Sequence, residues 1–354
     1  MKILLLGYYG FGNFGDEWTL AEVAAAIHEV LPAAELTVIS GQPGATTRLH
    51  GLAAVRRTPN AMRRAITECD LLVCGGGSLL QDSTSSRSLL YYLSLIGFAA
   101  LNKKQIILWG QGLGPLNRRQ YYPLIKHILN KTDLITLRDR NSYELLQKVG
   151  VDKPIIRLTA DPSFNGYLFA PRSQVTTEPL LTLVLRDWPG KGGQWLDSIA
   201  QAIAGYCQSR HWEVMLYMLQ PDWDRAIAAL LQAKLASLDI AASIGPDWER
   251  LEDTAEIFAR SSLIVAGRYH ALALAAVLGV PAVGIGYDPK VSALGDQLNL
   301  PVLSWEDLQD QERTRRALGA GDRVEPELLQ ALAEQARSTQ EIFADLVLSG
   351  AKGE

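Results

Sequence analysis

Residues 263–285 read LIVAGRYHALALAAVLGVPAVGI. Two short apolar runs, LIVA (263–266) and PAVGI (281–285), flank a run of small apolar residues that starts at Ala271. The outer runs show no polar alternation, the pattern of strands buried on both faces of a sheet. The middle run, Leu272–Leu278, predicts a helix packed on every side. Strand, helix and strand in this order make a parallel unit, because parallel neighbours need a long crossover between them.

The same alternation extends outward through the chain. Further strands are expected at KILLL (2–6), ELTVIS (35–40), DLLVC (70–74), QIILW (105–109), DLITL (133–137) and PIIRL (154–158). A second series follows at LLTLVLR (180–186), EVMLYML (213–219) and around Asp239–Ile244. Helical runs lie between them at Asp16–Val30, Ala61–Glu68, Tyr121–Asn130, Ser142–Val149, Trp195–Gln208, Trp223–Leu235 and Trp248–Arg260. Periodicity lapses at 163–178, and 354 residues exceed what one core usually holds. The expected fold class is therefore α/β, with two Rossmann-like domains, 1–168 and 178–354, facing a cleft. A long amphipathic helix at 325–348 has a face able to pack back on the first domain.

A net charge of −4, with 48% apolar and 20% charged residues, is ordinary for a globular protein and argues against nucleic acid as the partner. Cys69, Cys74 and Cys207 have no metal-ligand spacing, and their odd number suits a reducing compartment. The chain starts on a strand, and no apolar run reaches about 18 residues, so a cytoplasmic location is expected. LLYYLSLIGFAAL (89–101) is too short to span a bilayer and reads as a buried helix. Its aromatic character leaves a membrane-surface role open. Arg56, Arg57, Arg63 and Arg64 could join it there or form a solvated face.

Doubly wound sheets bind ligands at the carboxyl ends of their strands, so the loops after strands carry the function. GYYGFGNFGD (7–16) contains a literal G-x-G-x-x-G, but two tyrosines separate the strand from Gly10. The second strand ends at Ser40, with no acid there for a ribose. Both requirements for a dinucleotide site fail. Gly12 and Asn13 remain as a wall for a hydroxyl-rich ligand or as a structural turn, with Asp16 and Glu17 expected as cap and first-turn residues of the following helix. GGGSLLQD (75–82) offers a second wall with Gly76, Gly77, Ser78, Gln81 and Asp82. GQGLGP (110–115) adds Gln111, and Arg138 stands at the end of DLITL. Asp161, in TADPSF, could orient a base or cap a turn.

In the second domain, Gly267, Arg268 and His270 stand at the start of a buried helix, a ready anion site. GYDPK (286–290) brings Tyr287 and Lys290 to the same rim. Arg138, His270 and Lys290 together suit a small, densely anionic ligand. No P-loop, G-x-S-x-G elbow or metal-ligand cluster is present in the sequence.

The pieces GYYGFGNFGDE, CGGGSLLQD, GQGLGPL, LRDRNS, TADPSF and GRYHALALAAVLGVPAVGIGYDPK, with the closing amphipathic tail, span nearly the whole chain. In that order they resemble the polysaccharide pyruvyltransferases, and within them the branch associated with cell-surface anchoring of S-layer proteins. The resemblance implies a glycosyltransferase-B type fold. It also implies transfer of a pyruvyl group from phosphoenolpyruvate to a sugar, forming a 4,6-ketal and releasing phosphate without metal or organic cofactor. The acceptor it implies is β-N-acetylmannosamine of a lipid-linked precursor, with peripheral association at the inner face of the membrane. Carried over by motif, Arg138, His270 and Lys290 are the catalytic contacts to phosphoenolpyruvate, with Arg268 supporting the anion. His270 is then the candidate acid, and Asp16, Asp82 and Asp161 are candidate bases. The same architecture also admits a nucleotide-sugar glycosyltransferase or a non-catalytic phosphosugar-binding protein, and the sequence leaves the oligomeric state open.

Overall fold

The computed structural model describes residues 1–83, 85–171, 179–188, 193–207 and 212–350. The last part of the expected junction (172–178, including the expected domain start at Glu178) and Gln208 lie outside the described residues. The chain divides into two compact units, Met1–Leu168 with Ala331–Glu354, and Phe169–Gln330. The second unit therefore begins nine residues before 178, and the closing helix leaves it for the first.

In the first unit β1 (Lys2–Tyr9) leads to α1 (Phe14–Val30), β2 (Glu35–Ser40), α2 (Pro43–His50) and β3 (Ala53–Arg56). Then come α3 (Pro59–Glu68), β4 (Leu71–Gly75), α4 (Ser86–Leu101), β5 (Gln105–Gln111) and α5 (Tyr122–Leu129). β6 (Leu134–Leu137), α6 (Arg140–Val149) and β7 (Ile155–Leu158) complete the series. All the strands are parallel, in the order β3-β2-β1-β4-β5-β6-β7. Alternation along β1 sends Leu4 and Leu6 to one face and Ile3 and Leu5 to the other. The first pair joins a core with Met62, Leu93, Ile125 and Leu146 from α3–α6. The second joins Leu20 and Val23 of α1 and Phe343 from the chain's last helix.

In the second unit β8 (Leu180–Val184), α7 (Gln194–Cys207), β9 (Glu213–Leu216), α8 (Pro221–Ala236) and β10 (Ala242–Ile244) repeat the pattern. α9 (Leu251–Arg260), β11 (Leu263–Ala266), α10 (Tyr269–Leu278) and β12 (Ala282–Ile285) follow. α11 (Pro289–Leu298), β13 (Val302–Leu303), α12 (Trp305–Gln309) and α13 (Gln311–Gly319) close the unit. The sheet is again parallel, in the order β10-β9-β8-β11-β12-β13. α14 (Pro326–Gly350) then returns the chain to the first unit.

Where the first unit ends, Glu22 of α1 accepts hydrogen bonds from the backbone N–H of Tyr167 (3.1 Å) and Leu168 (3.2 Å). The indole of Trp18 donates a third, at 3.1 Å. Burial pushes the Glu22 carboxyl up to about 7, against these donors and the charge of Arg337.

Three sequence expectations need correction. α1 starts at Phe14, and its cap is Asn13, whose side chain accepts from Gly15 N; Asp16 and Glu17 occupy the first turn. α4 is buried along one side only, with Leu90 and Leu101 exposed. An apolar residue on a helix's outer face looks in sequence like another core residue, which is why the run reads as wholly buried. α2 and β3 lie where the sequence reading placed no element, because AAVR has too few strong strand formers to stand out. Among the described residues no helix is long and apolar enough to cross a membrane.

Candidate active site

Each sheet reverses its strand order once, between β1 and β4 and between β8 and β11. The carboxyl ends flanking such a reversal diverge and leave a crevice, the general ligand position of these folds. The candidate residues gather at these ends, and each unit holds its own group.

In the first unit a chain of contacts links four loops. The loop after β1 carries Gly12, exposed at φ +64°, and the capping Asn13. Asn13 Nδ2 donates to Asp16 Oδ2 at 2.5 Å. The buried Glu17 braces this loop by accepting from Gly10 N at 2.7 Å and pairing with His50 Nε2 at 2.9 Å. The loop after β4 turns through Gly76 (φ +57°) and Gly77 (φ +71°), conformations that side chains resist. A Cβ on Gly77 would sit 3.1 Å from Asp16 Oδ1, so the β1 and β4 loops meet here. Gly112 N donates to Gly77 O at 2.8 Å, and Gln111 Nε2 donates to the carbonyls of Cys74 (3.2 Å) and Gly76 (2.8 Å). The β5 loop thus clamps the glycine turn from beneath.

Arg138 does not lie open, as a ligand-binding arginine would. It is 3% exposed. Its guanidinium donates to Asp161 Oδ2 (2.8 Å), Ser78 Oγ (3.0 Å) and Asp139 Oδ2 (3.4 Å), tying the ends of β4, β6 and β7 together. Asp161 also accepts from Ser163 N at 3.0 Å, so it orients Arg138 and caps the turn at Pro162–Phe164. The two oxygens of the buried Asp82 accept from Asn117 N (2.7 Å) and Arg118 N (2.8 Å). Asp82 and Asp161 are fully engaged fasteners, poorly suited to the role of base. Gln81 accepts from Ser83 Oγ at 2.6 Å.

The second unit gathers positive charge. β11 ends at Ala266, and the next residue, Gly267, is packed so closely that a Cβ there would lie 3.2 Å from the Tyr287 ring. Arg268 is the N-cap residue of α10, and no side chain caps that terminus. Every residue of α10 but one is buried, so its exposed-dipole end is where an anion gains most. His270 stands in the first turn, its ring edge-on to Tyr269 at 5.0 Å. Arg268 donates to Asp224, which also accepts from Gln220 N at 3.0 Å, so the guanidinium is fixed from α8. Lys290 lies in the first turn of α11, its Nζ 3.3 Å from Asp288 Oδ2.

Tyr287 joins these parts. It packs on Trp188 with ring centroids 5.7 Å apart, and burial raises its phenol pKa against the pull of Arg186 and Arg268. The Arg186 guanidinium lies 5.8 Å from the Tyr287 ring. Sequence reasoning missed Arg186 because LLTLVLR reads as strand to its last residue, whereas β8 stops at Val184. The strand-end test that singled out Arg138 would have found it. Arg186, Arg268, His270 and Lys290 thus come from three adjacent strand ends and suit a ligand bearing several negative charges. Among the described residues no group of three His, Cys, Asp or Glu side chains could hold a metal ion.

Comparison with known proteins agrees with this architecture. The amylovoran biosynthesis protein AmsJ of Erwinia amylovora is 20% identical over 418 aligned residues, covering 99% of this chain and 100% of AmsJ. The UDP-GlcNAc 2-epimerase of Methanocaldococcus jannaschii superposes with a TM-score of 0.67 at 13% identity, covering 97% of this chain and 99% of that one. The apo lipopolysaccharide outer core galactosyltransferase WaaB superposes with a TM-score of 0.58 at 12% identity, covering 99% and 100%. These likenesses establish the glycosyltransferase-B type fold alone. The sequence pattern described as polysaccharide pyruvyl transferase matches residues 13–289, from the Asn13 cap to the residue before Lys290. The match takes in the loops after β4, β5, β6 and β11 and the β12 loop short of Lys290, and with it the chain belongs to the polysaccharide pyruvyl transferase family, a family of transferase enzymes.

Proposed function

We propose that this enzyme transfers the pyruvyl group of phosphoenolpyruvate to a saccharide, forming a 4,6-ketal and releasing phosphate. The observation that carries the reading is the basic rim around the uncapped start of α10: Arg186 and Arg268 act on Tyr287, and His270 and Lys290 stand in the first turns of α10 and α11. Phosphoenolpyruvate carries a phosphate and a carboxylate on three carbons, and such a rim matches its charge. Arg268, held by Asp224, and Lys290 take the two anionic groups, while α10 amides add a fixed dipole.

The reaction then needs three proton movements. His270 delivers a proton to the vinyl C3, leaving C2 oxocarbenium-like. A sugar hydroxyl oxygen bonds to C2 and gives up its proton to a base. The C2–O bond to phosphate breaks with the electron pair leaving on phosphate, and the second hydroxyl closes the ring as its proton passes to the released phosphate. Asp16, beside the glycine turn, is the preferred base, since Asp82 and Asp161 are spent on backbone amides and Arg138. Arg138 acts as a positioning residue. The glycine-walled loops of the first unit suit a hydroxyl-rich acceptor, for which we take β-N-acetylmannosamine on a lipid-linked precursor.

The test incubates the protein with phosphoenolpyruvate and a β-N-acetylmannosaminyl glycoside. The expected result is phosphate release matched by a product heavier by pyruvate less water. Turnover of a nucleotide sugar, with no pyruvylated product from this or related acceptors, would reject the reading. Tight phosphosugar binding with no turnover would reject it in favour of a binding protein.

A further inference from the structure

Charge is distributed unevenly in the first unit. Residues 56–132 contain eleven Lys and Arg against three Asp and Glu, so this stretch carries +8 in a chain of −4 and the remaining residues carry −12. The stretch runs through α3, α4 and α5, which lie on one face of the sheet. On the other face α1 holds Asp16, Glu17, Glu22 and Glu29 with no Lys or Arg. α14 adds Glu334, Glu341 and Asp345 against Arg337. The unit is therefore bipolar across its own sheet.

The basic face also exposes apolar side chains. Leu90 and Leu101 on α4 are 38% and 75% exposed, and Leu124 on α5 is 39% exposed. On the same two helices, or within two residues of their ends, stand the exposed Arg87, Lys103, Lys126 and Lys131. Arg63 of α3 lies over the Phe98 ring of α4 at 5.6 Å, so its charge is held against the same helix. Separate leucines among cations, on the outer side of a helix layer, form the pattern of a surface that meets both lipid headgroups and the upper acyl chains.

We infer that the α3–α5 face of the first unit docks on an anionic phospholipid bilayer. The inference goes beyond the reaction and stands whatever the acceptor is, because vesicle binding is measured without turnover. Cations anchor the face by charge, with each basic residue near an anionic surface worth about five-fold in partition. Leu90, Leu101 and Leu124 then add contacts that salt does not screen.

The test is sedimentation of the whole protein with vesicles of phosphatidylcholine alone or with about one-third phosphatidylglycerol, at low and high salt. The expected result is binding to the anionic vesicles only, weakened by salt. A variant with Arg87→Gln, Lys103→Gln, Lys126→Gln and Lys131→Gln should lose on the order of a hundred-fold or more in partition. A control with Arg225→Gln, Arg250→Gln, Arg313→Gln and Arg316→Gln removes the same charge from the second unit and should bind like the parent. Leu90→Ser with Leu101→Ser and Leu124→Ser should abolish the part of binding that survives high salt. Circular dichroism and melting temperature establish that each variant folds. Equal binding to neutral vesicles, no binding at low salt, or equal loss in both charge variants would overturn the proposal. So would binding to a DNA duplex by a protein that ignores the vesicles.

Discussion

At the scale of single residues, the site separates groups that fasten from groups that can react. Asp161 lies 2.8 Å from a guanidinium that is itself buried, so Asp161→Asn should cost about 3–5 kcal/mol by leaving Arg138 with its longer, 3.4 Å contact to the Asp139 carboxylate. Asp82→Asn should cost about 1–3 kcal/mol, through weaker bonds to Asn117 N and Arg118 N. Urea melts of both variants give the numbers; an unchanged midpoint in either would contradict the fastener roles. His270→Ala should instead leave the melt in place and lower pyruvyl transfer by about 100-fold or more, as expected for a lost general acid. Full transfer by that variant would remove His270 from the chemistry. The sequence marked His270, Lys290 and Arg268 through their place after apolar strands. It could not tell that Asp82 and Asp161 point inward, because their partners lie 35 and 23 positions away.

At the scale of elements, the long buried strands and α10 were plain in the sequence, since each combines an apolar run with a punctuating glycine or polar residue. The edge strand β3 and the short helices α12 and α13 were not. β3 buries no residue fully, α12 one and α13 two, so their pattern does not rise above that of loops. α1 illustrates a different limit. Its hydrophobic face was legible, but nothing in the sequence says that Glu22 is buried to hold the backbone of Tyr167 and Leu168. A carboxyl lifted from its ordinary 4.5 to about 7 keeps its proton more tightly in the fold than in the unfolded chain. Its contribution to stability is therefore complete below about pH 4.5 and falls by about 3 kcal/mol as the pH rises through 7. Glu22→Gln should flatten that fall, so the gap in unfolding free energy between pH 5 and pH 8 should shrink in the variant. An unchanged gap would show that Glu22 titrates normally.

At the scale of the whole molecule, two parallel sheets each present one strand-order reversal, and the candidate residues gather at both. The first unit's group is braced by glycine turns and by buried pairs, the second unit's by a basic rim on helix starts. That two-part plan was readable from strand–loop–helix alternation. The return of α14 to the first unit rested on an amphipathic pattern that names no partner, and only the packing of Phe343 and Val347 into the core beside α1 supplies it. In the function proposed above, the rim at the ends of β8, β11 and β12 holds phosphoenolpyruvate. Calorimetric titration of phosphoenolpyruvate into the parent protein, Arg268→Gln and Lys290→Gln tests it most directly. The expected result is saturable binding by the parent and a loss of about ten-fold or more in each variant, as charge-assisted bonds of about 1.5–3 kcal/mol are removed. Equal affinity in all three proteins, or no binding of phosphoenolpyruvate by a parent that binds a nucleotide sugar, would contradict it.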